Sequence, residues 1–123
     1  MNVVLWIVQA LLAIIFLLAG TMKLTQSKEK LAERMGWVQD FSEGQIRLIG
    51  ILEIMGAFVL IFLGLTGILP WLAPLAAIGL ALMMVGAILT HIKRKEYGNI
   101  IVNVVLLFAA VFVAYGRFFV VPL

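Results

Sequence analysis

The chain has 123 residues, of which 65% are hydrophobic and only 12% are charged, and its net charge is +3. A soluble domain carries about 45–50% apolar and about 25% charged residues. The chain therefore has too little polar surface for a water-soluble globule, and the same composition excludes a disordered chain. We expect a single-domain integral membrane protein.

Four apolar runs predict four membrane-spanning helices, at residues 3–22, 46–69, 74–92 and 100–120. Each run is close to the ~20 residues that cross about 30 Å of hydrocarbon as an α-helix. Alternation with a period of two residues is absent, which argues against a β-barrel. The connections around the third run are short, so adjacent helices should be antiparallel. The predicted fold class is all-α, an integral membrane four-helix bundle.

The longest polar stretch, residues 23–45, predicts a short interfacial helix between the first and second spans. Ser27 is a candidate N-cap and Gly36 a candidate C-terminal stop. The apolar side chains of this helix would face the lipid surface: Leu31, Met35 and Trp37. A solvated loop is the alternative.

Local signals mark the helix ends. The sequence Ser42-Glu43-Gly44-Gln45 matches a capping box that opens the second span. Residues 69–74 have the composition of a tight hairpin, and Asn99 is a candidate N-cap for the last span.

The basic residues predict the orientation of the chain in the membrane. One side receives most of them: Lys23, Lys28, Lys30, Arg34, Arg47, Lys93, Arg94 and Lys95. The other side receives only Arg117. By the positive-inside rule, both polar connections lie in the cytoplasm and both termini lie outside.

Each span carries one stripe of polar or small residues at helical spacing, and these stripes should face the bundle axis. The stripes of the four spans, in chain order, are Gln9, Ala13, Phe16, Gly20 and Lys23; Glu53, Ala57, Leu60 and Gly64; Gly79, Met83, Gly86 and Thr90; and Asn103, Ala110, Ala114 and Arg117.

Depth along the helices separates the polar residues into two groups. Those that could meet in the cytoplasmic half are Lys23, Glu53, Thr90, His91 and Asn103. Of these, we take Glu53, Lys23, Asn103 and Thr90 as candidates for binding a ligand or a proton, and we expect His91 to be an interfacial residue. Gln9 and Arg117 are the polar candidates of the outer half.

Glu53 is the most informative residue, because a charged group in mid-membrane costs roughly 2.5–3.5 kcal/mol on insertion scales. The functional interpretation is a carboxylate that binds a ligand or a proton, and the structural one is an ion pair with Lys23. The others also have structural interpretations: Lys23 as a lysine that reaches the interface, Asn103 and Gln9 as interhelical hydrogen-bonding groups, and Arg117 as an outer anchor.

Several kinds of chemistry are excluded by composition. The chain has no cysteine and one histidine, and it contains no nucleotide-binding or metal-binding motif. We therefore predict no catalytic residue, no metal ligand and no covalently bound cofactor, and we do not expect an autonomous enzyme. The basic residues lie at span ends, so no nucleic-acid partner is expected.

Two motifs make the chain similar to a known family. Ala19-Gly20-Thr21-Met22-Lys23-Leu24 ends the first span, and Gly50-Ile51-Leu52-Glu53-Ile54-Met55-Gly56 lies in the second. With the basic segment 91–96 and the ending 114–117, they resemble the DoxX-like family of small bacterial four-helix membrane proteins. The resemblance implies an inner-membrane protein close to quinone-dependent or thiol redox chemistry, and it carries over Lys23 and Glu53.

We therefore expect an accessory or quinone-proximal subunit of a membrane redox system, with a polar intramembrane pocket around Glu53. Its expected partners are the lipid bilayer and a redox protein, quinone is the one cofactor implied, and a homo-oligomer stays open. Two alternatives remain: a small proton-coupled transporter that uses Glu53, and a structural partner protein.

Overall fold

The computed structural model describes residues 1–33, 35–66 and 71–120, and over these ranges the chain is helical without strands. The α-helices are α1 (Asn2–Thr25), α2 (Lys28–Ala32), α3 (Glu43–Phe58), α4 (Gly64–Thr66), α5 (Leu72–Lys93) and α6 (Tyr97–Tyr115). A 3-10 helix covers Gly36–Asp40, and π-helical turns at Val59–Leu63 and Gly116–Val120 continue α3 and α6. The predicted all-α fold is confirmed.

Four helical segments are long and apolar enough to cross a bilayer: Asn2–Thr25, Glu43–Phe62, Leu72–Lys93 and Tyr97–Val120. The second and third begin three and two residues earlier than their apolar runs, because polar and proline residues are tolerated in a first helical turn. Residues 67–70 lie outside the described residues, and with them lie the first two residues of the hairpin predicted at residues 69–74.

The four long helices form a ring in which α1 packs along α3, α3 contacts α5, α5 packs along α6, and α6 contacts α1. The side chains of the ring interior form one apolar core: Leu12, Ala13, Phe16, Ala57, Leu60, Ala77, Leu80, Ala81, Met84, Ala110, Val113 and Ala114. Large apolar side chains such as Val3 and Phe108 are about 70% exposed on the outside. A bundle whose core and outer surface are both apolar is what a helical protein in lipid requires.

Glycines allow a close contact between the backbones of α1 and α3. A Cβ atom added at Gly20 would lie 2.6 Å from the carbonyl oxygen of Gly50, and one added at Gly50 would lie 2.9 Å from the carbonyl oxygen of Gly20. The two backbones therefore touch at this point. Such close approach is common between membrane helices that have small residues at their interface.

Three of the four predicted inward stripes are buried or half-buried. All five residues of the α1 stripe are buried, as are Glu53, Ala57 and Leu60. Gly64, the last residue of that second stripe, lies outside the residues whose burial the structure describes. On α6, Ala110, Ala114 and Arg117 are buried and Asn103 is half-buried.

The stripe predicted for α5 is only partly correct: Met83 and Thr90 are half-buried, but the two glycines are not. Gly79 and Gly86 are exposed, and the face that packs inward instead carries Ala73, Ala77, Leu80, Met84 and His91. Before its last turn, which contains Thr90 and His91, α5 is apolar on every side, so small size was the only sequence signal for the inner face of that part. Its alanines provide the close contacts, while a Cβ at either glycine would meet nothing within 4 Å.

The segment between α1 and α3 folds against the bundle rather than onto lipid. Ser27 caps α2 as predicted, accepting from the Lys30 N–H, but α2 ends at Ala32, and Arg34 lies outside the described residues. Leu31 is 1% exposed and packs with Val38 and Ile46. The prediction that Leu31 faces lipid is wrong, because the first turn of α3 and the end of α1 supply an apolar surface that covers it, and Met35 and Trp37 are half-buried against the same cluster.

The capping box at the start of α3 is confirmed: the Ser42 side chain accepts from the Gln45 N–H, and the Gln45 side chain accepts from the Ser42 N–H. The N-cap predicted at Asn99 is wrong. α6 begins two residues earlier, at Tyr97, so Asn99 lies in its first turn.

Candidate functional site: a polar cavity beside an ion pair

An ion pair joins α1 to α3 directly beside the glycine contact. Lys23 Nζ donates a hydrogen bond to Glu53 Oε1 over 2.6 Å. The two side chains are only 7% and 4% exposed. Gly20 precedes Lys23 and Gly50 precedes Glu53 by three residues each, so the backbone contact places both side chains at the same height. The structure thus contains the ion pair that the structural interpretation of Glu53 predicted, and the Lys23 ammonium balances the charge of the carboxylate.

Lys23 does not extend to the interface, as the snorkelling alternative would require, because it is 5% exposed. Its ammonium lies 5.6 Å from the centre of the Trp37 ring, a distance typical of a cation–π contact. The Arg47 guanidinium donates to the carbonyl oxygens of Lys23 and Gln26 at the end of α1. The lysine is thereby fixed inside the protein by contacts from α3 and from the 3-10 helix.

A cavity of about 600 Å³ lies next to this ion pair, between the helices and the folded segment 27–41. The polar side chains along its wall are Lys23, Glu53, Thr90, His91, Asn99 and Asn103. The rest of the wall is apolar and includes Phe16, Trp37, Phe41, Met83 and Met84. The structure thus brings together the four inner candidates that the sequence indicated and adds His91 and Asn99 to them.

Thr90 and Asn103 enter the cavity wall from α5 and α6. The Thr90 hydroxyl donates to the Gly86 carbonyl, 2.9 Å away, and so fixes its own proton within the helix. A hydroxyl oxygen so engaged still has a lone pair with which to accept. Asn103 is half-buried and carries an amide that can both donate and accept. The wall therefore offers polar groups from all four long helices.

His91 was grouped by the sequence with the inner polar residues but was not taken as a candidate for binding. We expected an interfacial residue, but the side chain is 7% exposed, and its Nδ1 lies 3.0 Å from Glu96 Oε1. The physical reason is a turn after α5 that folds Glu96 back onto the helix end. Arg94 Nε lies 3.2 Å from the same oxygen of Glu96.

Arg94 also links this cluster to the segment between α1 and α3. Its NH1 donates to Asp40 Oδ2 over 2.8 Å. This hydrogen bond, with the attraction of the Asp40 and Glu96 carboxylates, raises the pKa of Arg94 above its ordinary value. Arg94 therefore stays charged. Beside the cavity, it joins the segment between α1 and α3 to the turn between α5 and α6.

The two outer candidates form a separate cluster at the other end of the bundle. Gln9 is fully buried, and its Nε2 donates to the Leu60 carbonyl over 2.9 Å, inside the π-helical turn of α3. Arg117 Nε donates to Gln9 Oε1, and Arg117 NH1 donates to Asn2 Oδ1. The guanidinium lies 5.2 Å from the Trp6 ring centre. Arg117 is only 2% exposed, so it joins α6 to α1 and is not an anchor at the outer surface.

The fold and the site together define a multi-pass membrane protein, a four-helix bundle with a polar cavity near one end. The profile of the DoxX-like family matches residues 7–113, and the chain belongs to that family. No curated protein and no solved structure matches the chain at significant similarity. The motifs that carried the resemblance contain the helix contact (Gly20 and Gly50) and the ion pair (Lys23 and Glu53).

Proposed function

We propose that the protein is an accessory subunit of a membrane redox system and that its cavity binds the head group of a lipid-soluble quinone. The observation that carries the proposal is the cavity itself: about 600 Å³ of mostly apolar and aromatic wall with a few polar groups. Small-molecule sites have volumes of about 300–1,000 Å³ and this type of lining. A quinone head group has the matching chemistry, since it combines a flat apolar ring with two polar oxygens.

The composition favours a role beside another protein. The chain has no cysteine to exchange electrons with a dithiol, and no catalytic motif. A quinone bound here would therefore exchange electrons with a partner, and we infer a redox protein as that partner. We place the protein in the bacterial inner membrane with both termini outside the cytoplasm, because the basic residues concentrate at the cavity end of the bundle.

The tryptophans give a direct binding assay. Trp37 lines the cavity. Trp6 and Trp71 lie at the starts of α1 and α5, the helix ends that are far from the cavity. In nanodiscs, a Trp6→Phe/Trp71→Phe chain reports on the cavity, and a Trp6→Phe/Trp37→Phe chain reports on quinone dissolved in the bilayer. We expect duroquinone to quench Trp37 fluorescence with a saturable curve and Trp71 fluorescence with a weak linear one. Equal linear quenching of both would refute a quinone site.

A pair of threonines provides the matched variant. Thr90 and Thr21 each donate a hydrogen bond to a carbonyl one turn earlier, but Thr90 lines the cavity and Thr21 is exposed on the outside of α1. Thr90→Phe, which fills part of the cavity, should weaken the saturable quenching of Trp37, and Thr21→Phe should leave it unchanged. Equal effects would mean that the quenching does not come from this cavity.

A proton-coupled transporter is the second candidate, favoured by one observation: the buried carboxylate of Glu53 lines a ligand-sized cavity. This function predicts that a substrate releases protons from the purified protein and that Glu53→Gln abolishes the release. The accessory role predicts that duroquinone binds without proton release and that a redox protein co-purifies. A structural partner protein would co-purify with its partner but show neither binding nor release.

A further inference from the structure

Glu96 holds His91 by two separate hydrogen bonds. The backbone N–H of Glu96 donates to the His91 carbonyl over 2.8 Å, and the Glu96 carboxylate lies 3.0 Å from Nδ1 of the His91 ring. Both the main chain and the side chain of His91 are therefore positioned by one residue, five places further along the chain.

The turn that brings Glu96 back is conformationally unfavourable for its sequence. Lys95 has φ 60°, a left-handed conformation that favours glycine at the end of a helix. The Lys95 N–H donates to the Ile92 carbonyl over 3.1 Å, which with the Glu96 bond completes the usual pattern of a helix end of this type. Such backbone strain persists where the surrounding contacts maintain it, and it is common at functional sites.

The contact with Glu96 fixes which nitrogen of the uncharged His91 ring carries the proton. A carboxylate only accepts hydrogen bonds, so Nδ1 must donate. A neutral imidazole has one N–H, and Nε2 is then an acceptor. Since His91 lines the cavity and Glu96 occupies Nδ1, Nε2 is the ring nitrogen left for a ligand.

We propose that the cavity binds the reduced hydroquinone form in preference to the quinone, with a ring hydroxyl donating to His91 Nε2 and Glu96 acting as the positioning residue. This inference rests on the proposed quinone site. A quinone carbonyl can only accept, so it cannot bond to an accepting nitrogen, whereas a hydroquinone hydroxyl can donate. The Glu53 carboxylate, which lines the same cavity, is a second acceptor.

The first test uses the fact that the chain has a single histidine. In a sample labelled with ¹⁵N-histidine at about pH 8, where a histidine is ordinarily uncharged, the two ring nitrogen signals belong to His91 alone. The inference predicts a proton on Nδ1 and none on Nε2. A proton on Nε2, or on both nitrogens, would overturn it without reference to any ligand.

The second test compares two ligands that differ only by two hydrogens, duroquinol and duroquinone, titrated anaerobically into the same sample. We expect duroquinol to bind about tenfold more tightly and to shift the Nε2 signal, since a site with a placed acceptor discriminates against an analogue without the donor. Equal affinities, with saturable quenching of Trp37, would refute the inference and leave the quinone site intact. Absence of binding by either compound would refute the proposed function itself.

Variants separate a positioning role of Glu96 from a purely structural one. Glu96→Ala should move the proton to Nε2 and remove the preference for duroquinol, while Glu96→Gln, whose amide oxygen can still accept from Nδ1, should retain part of both. Lys95→Gly removes the backbone strain at this position and should leave the His91 tautomer and the preference for duroquinol unchanged. If Glu96→Ala keeps the Nδ1 proton and the preference, Glu96 does not position His91.

Discussion

Replacing Gly20 by alanine tests the helix contact on which the ion pair depends. The new Cβ would lie 2.6 Å from the Gly50 carbonyl oxygen, 2.7 Å from the Ile54 side chain and 3.2 Å from the Ile54 backbone nitrogen. Two of these three neighbours are backbone atoms, which cannot rotate away. The helices must therefore separate, and Lys23 and Glu53 would separate with them.

The magnitude follows from comparison with Gly79→Ala. Both glycines are in helix interiors, so each substitution gains the same intrinsic preference of alanine, about 0.8–1.0 kcal/mol. A Cβ at Gly79 meets nothing within 4 Å. The difference between the two variants is then the steric cost alone, which is typically about 1–3 kcal/mol. We expect the upper part of that range, because the obstructing atoms belong to the backbone.

The assay is reversible unfolding in mixed micelles by titration with dodecyl sulfate, followed by circular dichroism. Gly79→Ala should unfold at the same or a higher detergent fraction than the unchanged chain, and Gly20→Ala at a clearly lower one. If the two variants unfold together, the backbones of α1 and α3 do not touch at Gly20, and the reasoning fails.

Three further predictions use the same titration. Lys23→Met should cost about 3–5 kcal/mol, because it leaves the Glu53 carboxylate buried without its partner, and Lys23→Met/Glu53→Met should recover most of that loss; additive costs would contradict a direct pair. Ser42→Ala should cost about 1 kcal/mol through loss of the cap of α3, and a value near zero would show that the capping box contributes nothing. Gln9→Leu should cost about 1–3 kcal/mol, because it removes both the donor to the Leu60 carbonyl and the acceptor of the Arg117 N–H; no loss would mean that these two bonds have no net value.

The sequence predicted most of what depends on periodicity in an apolar chain. Polar residues avoid lipid at any position, so Gln9, Lys23, Glu53 and Arg117 each identified the inner face of a helix, and all four are buried. The same logic indicated that Lys23 and Glu53 lie on one side of the membrane, and the family motif placed a glycine three residues before each of them.

The parts that could not be predicted depend on tertiary contacts. On α5 the polar residues Thr90 and His91 lie only in the last turn, so over the rest of the helix glycines were chosen where alanines pack. His91 was assigned to the interface because it precedes a basic segment. The burial of His91 depends on a helix end in which Lys95 has a left-handed backbone conformation. Nothing in the sequence indicates that a lysine adopts this conformation. The inward folding of Trp37 likewise depends on an apolar surface shared by α1 and α3.

The central claim is that the cavity beside Lys23 and Glu53 is a ligand site, and thiol labelling tests it most directly because the chain has no native cysteine. Thr90→Cys puts a thiol on the cavity wall, and Thr21→Cys puts one on the outside of α1. We predict that duroquinol slows the reaction of Thr90→Cys with a water-soluble methanethiosulfonate in proportion to occupancy and leaves the rate of Thr21→Cys unchanged. Equal labelling rates of Thr90→Cys with and without saturating duroquinol would contradict the account.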